Sequence, residues 1–143
     1  MNTVIIQLVS CFLATLLFSV LFNQPLKAVF FSGFIATGGY AIFLWLQQTT
    51  VAYFFAALFI GIACEILARC LKMASTLFIT CAIIPLVPGL GLFRTMFYLS
   101  QRELALAGEI GCASLEGICA IALAITLSTI LFTKQHSPRK TAS

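Results

Sequence analysis

Long apolar runs with few charges are the feature that most constrains the fold of this chain. A transmembrane helix needs about 20 largely apolar residues, and five runs of about this kind occur, at residues 3–22, 28–46, 52–68, 74–99 and 110–132. Hydrophobic residues make up 62% of the 143 residues and charged residues only 8%, whereas soluble domains are about a quarter charged. The sequence predicts an all-α membrane protein, a bundle of about five transmembrane helices over residues 1–134, with a polar cytoplasmic tail at 135–143. No basic segment or cleavage site accompanies the first run, so we expect a permanent span there.

Basic residues divide unevenly between the two sides of such a bundle. Five spans place the 23–27 turn, the 69–73 turn and the C-terminus on one side, which then carries Lys27, Arg69, Lys72, Lys134, Arg139 and Lys140. The other side has only Arg94 and Arg102. Because cytoplasmic loops are enriched in Lys and Arg, the predicted orientation is N-terminus out and C-terminus in. A four-span arrangement with residues 28–46 re-entrant or peripheral would disperse this asymmetry.

The fourth run contains a predicted helix break. Pro85, Pro88, Gly89 and Gly91 fall within seven residues of one another; proline removes a backbone donor and glycine loosens the backbone. Two arrangements are open. The span ends near Pro88 and an interfacial amphipathic helix follows, or residues 74–99 form one discontinuous helix with its break inside the membrane. The number of crossings is the same in both.

Broken membrane helices are tolerated where the freed backbone groups line a cavity or are buried in protein. Transporters use the N-termini of such half-helices to bind anionic substrate groups. A half-helix that starts after Gly89 would offer the N–H groups of Leu90, Gly91 and Leu92, with Arg94 one turn further on. Together with Pro85 and Pro88, these residues form a candidate substrate-binding site for a carboxylate. The alternative is a proline kink used only for helix contacts, with Arg94 reaching the membrane interface.

Two glutamates lie inside apolar runs, where a carboxylate indicates function by default. Glu65 precedes Arg69 by four residues, the order that favours an ion pair along a helix, so a structural pair competes with a role in energy coupling. Glu116 has no base within one turn and shares a helix face with Glu109, seven residues earlier. It is a candidate proton carrier, and a hydrogen bond across a helix interface is the alternative.

Several functional classes are disfavoured by the same composition. The six cysteines form no C-x-x-C pair and the one histidine, His136, lies in the tail, so no metal site and no cofactor is expected. No nucleophile–histidine pair is available, so an enzyme is not expected. The bases form no single solvated patch, which argues against nucleic acid.

Three stretches resemble the threonine/serine exporter family, ThrE. They are Phe22-Asn23-x-Pro25, residues 65–69 (EILAR) and residues 84–94 (IPLVPGLGLFR). The likeness extends over about residues 15–130 and is closest to the short C-terminal module that also occurs as a separate YjjB-like protein. Pro85, Pro88, Gly89 and Arg94 fall on the broken-helix motif of the family, and Glu65 and Arg69 fall on its third-span segment. Glu116 lies outside any matched stretch.

The resemblance implies a secondary exporter of the bacterial inner membrane for small polar metabolites. Threonine and serine are substrates of some members, and dicarboxylates such as succinate of others. It further implies that this module works with a YjjP-like partner subunit. A non-transporting membrane scaffold or assembly factor is the alternative. The sequence leaves the substrate, the energy coupling and homo-oligomer formation open.

Overall fold

The computed structural model describes residues 2–47 and 49–133, and every element in that part of the chain is helical. The elements are α1 (Asn2–Leu21), α2 (Leu26–Trp45), α3 (Thr50–Leu71), α4 (Ser75–Ile83), a 3₁₀ turn (Ile84–Leu86), α5 (Gly89–Ser100) and α6 (Leu104–Thr133). The predicted tail, with Lys134, His136, Arg139 and Lys140, lies outside the described residues.

Four helices, α1, α2, α3 and α6, are long and apolar enough to cross a membrane. A fifth crossing results if α4 with its 3₁₀ turn and α5, which meet at a bend of 53°, are one span. The prediction of an all-α membrane protein with about five spans is confirmed in this sense. The orientation stays a prediction.

Left-handed residues close the tight turns of the chain. Asn23, Lys72 and Arg102 have φ values of 56°, 53° and 61°. The N–H group of the residue after each donates to the carbonyl five residues back, at 3.1 Å from Gln24 to Ser19 and 3.0 Å from Glu103 to Tyr98. This is the Schellman pattern, which satisfies carbonyls at a helix C-terminus. It turns the chain sharply after α1, α3 and α5.

Helix α3 forms the centre of the bundle and contacts α2, α4 and α6. Most of its buried residues are small, namely Ala52, Ala56, Ala57, Gly61, Cys64 and Ala68. Small residues let membrane helices approach closely, where dispersion contacts replace the hydrophobic effect. At Gly61 the space that a Cβ atom would need is occupied by Oγ of Ser128 on α6. The α3–α6 contact therefore depends on this glycine.

A glutamine side chain ties the α1–α2 turn to α4. Nε2 of Gln24 donates to the carbonyl of Leu77 at 2.9 Å and to Sγ of Cys81 at 3.3 Å. Its Oε1 accepts a hydrogen bond from Ser32 at 3.3 Å. Because Gln24 is buried, these bonds offset its removal from water. They position α4 against the first two helices.

The helix that would form the fourth span stops early. α4 and the 3₁₀ turn cover residues 75–86, which is about 18 Å of helix at 1.5 Å per residue, against a hydrocarbon core of about 30 Å. Val87 is extended, with ψ of 132°, and α5 then begins at Gly89 in a new direction.

Helix α5 pairs with a part of α6 that extends past the main bundle. The hydroxyl of Thr50, the first residue of α3, donates to the carboxylate of Glu116 at 3.4 Å. Since α6 begins at Leu104, about 18 Å of it precedes this level. Thr95 on α5 lies against Gly111 in this segment, and α5 has no buried residue of its own.

Candidate substrate cavity

The broken helix lines a cavity of about 670 Å³, here called the break cavity. It lies just beyond the end of α4, where an unbroken fourth helix would continue. Every other helix contributes to its walls: Gln7 from α1, Tyr40 and Phe43 from α2, Thr50 and Tyr53 from α3, and Glu109, Ile110, Ala113 and Ser114 from α6, with residues 85–91 on the remaining side. Pro85, Pro88, Gly89, Leu90 and Gly91, predicted from the sequence to lie at the site, are thus all in the cavity wall.

At the start of α5, the N–H groups of Leu90 and Gly91 have no acceptor within the helix. Pro88 supplies no side-chain cap, and the N–H of Gly89 donates to the carbonyl of Val87 at 2.7 Å. The N–H of Leu92, expected to be free, instead donates to the Pro88 carbonyl at 3.2 Å. This bond is the first of the α5 ladder, because Leu92 follows Pro88 by four residues. The groups left for an anion are the N–H donors of Leu90 and Gly91.

The two glycines of the motif have different surroundings. A Cβ atom at Gly91 would clash with Oγ of Ser114, whereas one at Gly89 would meet no atom within 4 Å. The Ser114 hydroxyl donates to the Ile110 carbonyl at 2.8 Å, which fixes its position on α6. A side chain at Gly91 would therefore displace the Ser114 hydroxyl from its hydrogen bond with Ile110, whereas Gly89 is not required for any contact.

Among the described residues, Glu109 is the one charged side chain in the wall of the break cavity, and it is exposed like Arg94 and Glu116. The sequence predicted Glu116 instead. Glu116 is exposed and does not line the cavity, although it accepts a hydrogen bond from Thr50 in the cavity wall. The helix face that Glu109 shares with Glu116 indicated that Glu109 is a candidate too. The sequence could not show that α5 folds back on the first turns of α6, which brings the break next to Glu109.

Arg94 is exposed and does not line the break cavity. The reason lies in the contact between α5 and α6. Gly91 and Thr95, four residues apart, both face α6, so the side chain of residue 94 projects to one side of this face. A direct role for Arg94 in binding substrate stays a hypothesis without support from this geometry.

Neutral polar groups complete the wall of the cavity. Gln7, Tyr40, Thr50, Tyr53 and Ser114 supply an amide and four hydroxyl groups. Gln7, Tyr40 and Tyr53 are isolated polar residues within apolar runs, so no local pattern sets them apart from residues that face a neighbouring helix. Only the assembled bundle brings the five together.

Glu65 and Arg69 lie at the opposite end of α3, in the wall of a second cavity. Nη2 of Arg69 donates to the carbonyl of Phe132 at 2.7 Å, and its guanidinium lies 4.8 Å from the centre of the Phe132 ring. Glu65 is buried. The ion pair between Glu65 and Arg69 that the spacing predicted stays a prediction.

The described cysteines are all free. No group of three histidine, cysteine, aspartate or glutamate side chains that could hold a metal ion occurs within residues 2–47 and 49–133. The polar groups of the break cavity are a carboxylate, hydroxyls, an amide and backbone N–H groups.

Comparison with known families assigns the chain to one of them. The sequence model of the threonine/serine exporter family, ThrE, matches residues 7–131, which include the whole wall of the break cavity. The chain belongs to the threonine/serine exporter family. Curated proteins and solved structures yielded no match. As a member of an exporter family with four or five membrane-spanning helices, the chain is a multi-pass membrane transport protein.

Proposed function

We propose that this chain is a subunit of a secondary exporter that moves threonine, serine and similar small amino acids through the break cavity. The observation that carries the proposal is the presence, in one cavity wall, of the Glu109 carboxylate and the uncapped start of α5. These are complementary to the two charged groups of an α-amino acid.

Each part of such a substrate has a partner in the cavity. A helix N-terminus attracts a carboxylate through its N–H groups and its dipole, so the substrate carboxylate lies at Leu90 and Gly91. The substrate ammonium lies at Glu109, where a charge-assisted hydrogen bond is strong. The hydroxyl groups of Tyr40 and Tyr53 can exchange hydrogen bonds with the side-chain hydroxyl of threonine or serine.

The same wall disfavours a dicarboxylate such as succinate. A second carboxylate would lie near Glu109, and like charges that are close together repel each other. Lysine and arginine are absent from the described wall residues. Arg94, which was predicted from the sequence to lie at the site, does not line the cavity.

The orientation with the N-terminus outside completes the transport proposal. The start of α3 and the break cavity then lie towards the outer face of the bacterial inner membrane, which is the face where an exporter releases its substrate. The basic end of the bundle, with Lys27, Arg69 and Lys72, lies towards the cytoplasm, in accordance with the positive-inside rule.

A YjjP-like membrane subunit is proposed to work with this chain. Helix α5 exposes most of its apolar side chains, with Phe93 and Met96 66% and 69% exposed, and its neighbour is the projecting part of α6. Large exposed apolar patches mark sites of contact with protein or membrane.

Proton coupling through Glu116 or Glu65 belongs to the same proposal. Glu116 accepts a hydrogen bond from Thr50 in the wall of the break cavity, and Glu65 lines the second cavity at the other end of α3.

The test is export from cells loaded with a threonine-containing dipeptide. In a strain without other threonine exporters, expression of this chain with its YjjP-like partner should restore efflux of threonine, and expression of the Glu109→Gln variant at equal level should not. Loading with succinate should give no efflux that depends on this chain. Unchanged threonine efflux with and without the chain would reject the proposal.

A non-transporting scaffold makes the opposite prediction for the same variants. A scaffold acts through its surface, so Glu109→Gln should retain any phenotype as long as the protein is present in the membrane at the normal level. Loss of efflux at a normal protein level therefore separates the two functions.

A further inference from the structure

A smaller cavity of about 310 Å³ lies beside the break cavity on the side of α1, and we call it the side pocket. Three residues, Gln7, Tyr40 and Pro85, lie in the walls of both cavities. The side pocket is therefore a continuation of the proposed substrate site. The other residues of its wall are Ile6, Ser10, Cys11 and Ala14.

One face of α1 forms most of the side pocket. The five α1 residues in its wall recur at intervals that place them on one side of a helix. Ser10, Cys11 and Ala14 are small, so they leave space between α1 and the break at Pro85. Ala14 lies about 18 Å along α1 from Asn2, in a hydrocarbon core about 30 Å thick. The side pocket therefore extends from the break towards the middle of the membrane.

The wall of the side pocket is neutral and mainly apolar. Lysine, arginine, aspartate and glutamate are absent from its described residues, and apolar atoms form most of its surface. Cys11 is buried and Tyr40 is half-buried, whereas Ile6 and Ser10 at the rim are exposed. In a membrane-spanning bundle such a rim borders on lipid. The pocket thus favours an apolar group and disfavours a charged one, which would lose its hydration there.

The proposed position of the substrate directs its side chain to this pocket. With the carboxylate at Leu90 and Gly91 and the ammonium at Glu109, the hydroxyl group of threonine lies at Tyr40 or Tyr53. Tyr40 is also part of the side-pocket wall. A side chain longer than that of threonine can therefore continue past Tyr40 into the side pocket.

We propose that the side pocket binds the side chains of larger apolar amino acids, so that the exporter also carries L-leucine and L-methionine. The inference rests on the proposed function and extends its substrate class to neutral amino acids with aliphatic or thioether side chains. A methylene group in an apolar pocket changes discrimination between substrates by about 10- to 200-fold. The side pocket is therefore sufficient to bind these amino acids in preference to L-lysine and L-glutamate, whose side chains are charged.

The test is exchange of radiolabelled amino acids across proteoliposomes that contain the chain and its partner subunit. L-leucine and L-methionine should each exchange and should compete with L-threonine, whereas L-lysine and L-glutamate should not compete. L-threonine is the reference substrate in every preparation, so the activity of the carrier is measured independently of the side pocket.

Ala14→Leu is the variant that fills the side pocket, because it adds an isopropyl group to a residue of its wall. It should raise the concentration of L-leucine needed for half-maximal competition, relative to that of unlabelled L-threonine, by about tenfold or more. Ala122→Leu is the matched control, since Ala122 is exposed on α6 and lines neither cavity, and it should leave this ratio unchanged. The series of competitors provides the test even if Ala14→Leu does not fold.

Three results obtained with normal threonine exchange would overturn the inference: no exchange of L-leucine and L-methionine, competition by L-lysine equal to that by L-leucine, and an unchanged ratio in Ala14→Leu. These results would leave the proposed function intact. Absence of threonine exchange in the unmodified protein would instead reject the proposed function, and the inference with it.

Discussion

Helices α4 and α5 derive from one apolar run of the sequence but have opposite surroundings. α4 contacts α1, α2 and α3 and buries Phe78, Cys81 and Ala82. α5 buries none of its residues and lies against the projecting part of α6. The break between them therefore separates a helix that belongs to the core from one that lies at the surface. The cavity is lined by the residues of the break between them.

The largest expected difference between these helices is in stability. Phe78 is fully buried, and Phe93 is 66% exposed. Phe78→Ala should lower the free energy of unfolding by about 3–5 kcal/mol, because it leaves a cavity in the core. Phe93→Ala should change it by less than about 0.5 kcal/mol. Unfolding in mixed detergent micelles measures both values, and equal losses would contradict the assignment of α4 to the core and α5 to the surface.

The attachment of α4 to the α1–α2 turn should contribute a smaller amount. Gln24→Ala removes three hydrogen bonds of a buried side chain and leaves the Leu77 carbonyl without this donor. We expect a loss of about 1–3 kcal/mol. Gln101→Ala is the matched control, since Gln101 is exposed at the end of α5. A similar loss for both variants would show that the Gln24 bonds do not hold α4.

The attachment of α5 to α6 can be examined through the two glycines. Gly91→Ala should force α5 away from Ser114 and destabilise the protein by about 1–3 kcal/mol, as overfilled contacts do, and threonine efflux should fall. Gly89→Ala should change stability by less than about 0.5 kcal/mol, because its Cβ meets no atom within 4 Å. Normal efflux from Gly91→Ala at normal protein level would contradict this account of the motif.

The smallest effect is expected at Arg94. Its side chain is exposed and outside the break cavity, so Arg94→Gln should change stability by less than about 0.5 kcal/mol. The Michaelis constant for threonine efflux should also be unchanged. A large increase in this constant would restore Arg94 as a substrate-binding residue and would show that α5 turns towards the cavity during transport.

Local sequence signals predicted the elements better than they predicted the site. Apolar run length was sufficient for the helices, because this effect acts within short stretches of the chain. Glu109, Tyr40 and Gln7 come together only through contacts between distant helices. The direction of α5 decided both that Glu109 enters the cavity wall and that Arg94 does not. Direction after a proline–glycine break depends on the partner helix and not on the break itself.

The most direct test of the central claim is exchange of radiolabelled L-threonine across proteoliposomes that contain the chain and its partner subunit. Glu109→Gln should reduce the exchange by about tenfold or more, because the substrate ammonium loses its charged partner. Glu103→Gln, at an exposed position in the α5–α6 turn, should exchange at the rate of the unmodified protein. Exchange by Glu109→Gln at that same rate would contradict the assignment of the break cavity as the substrate site.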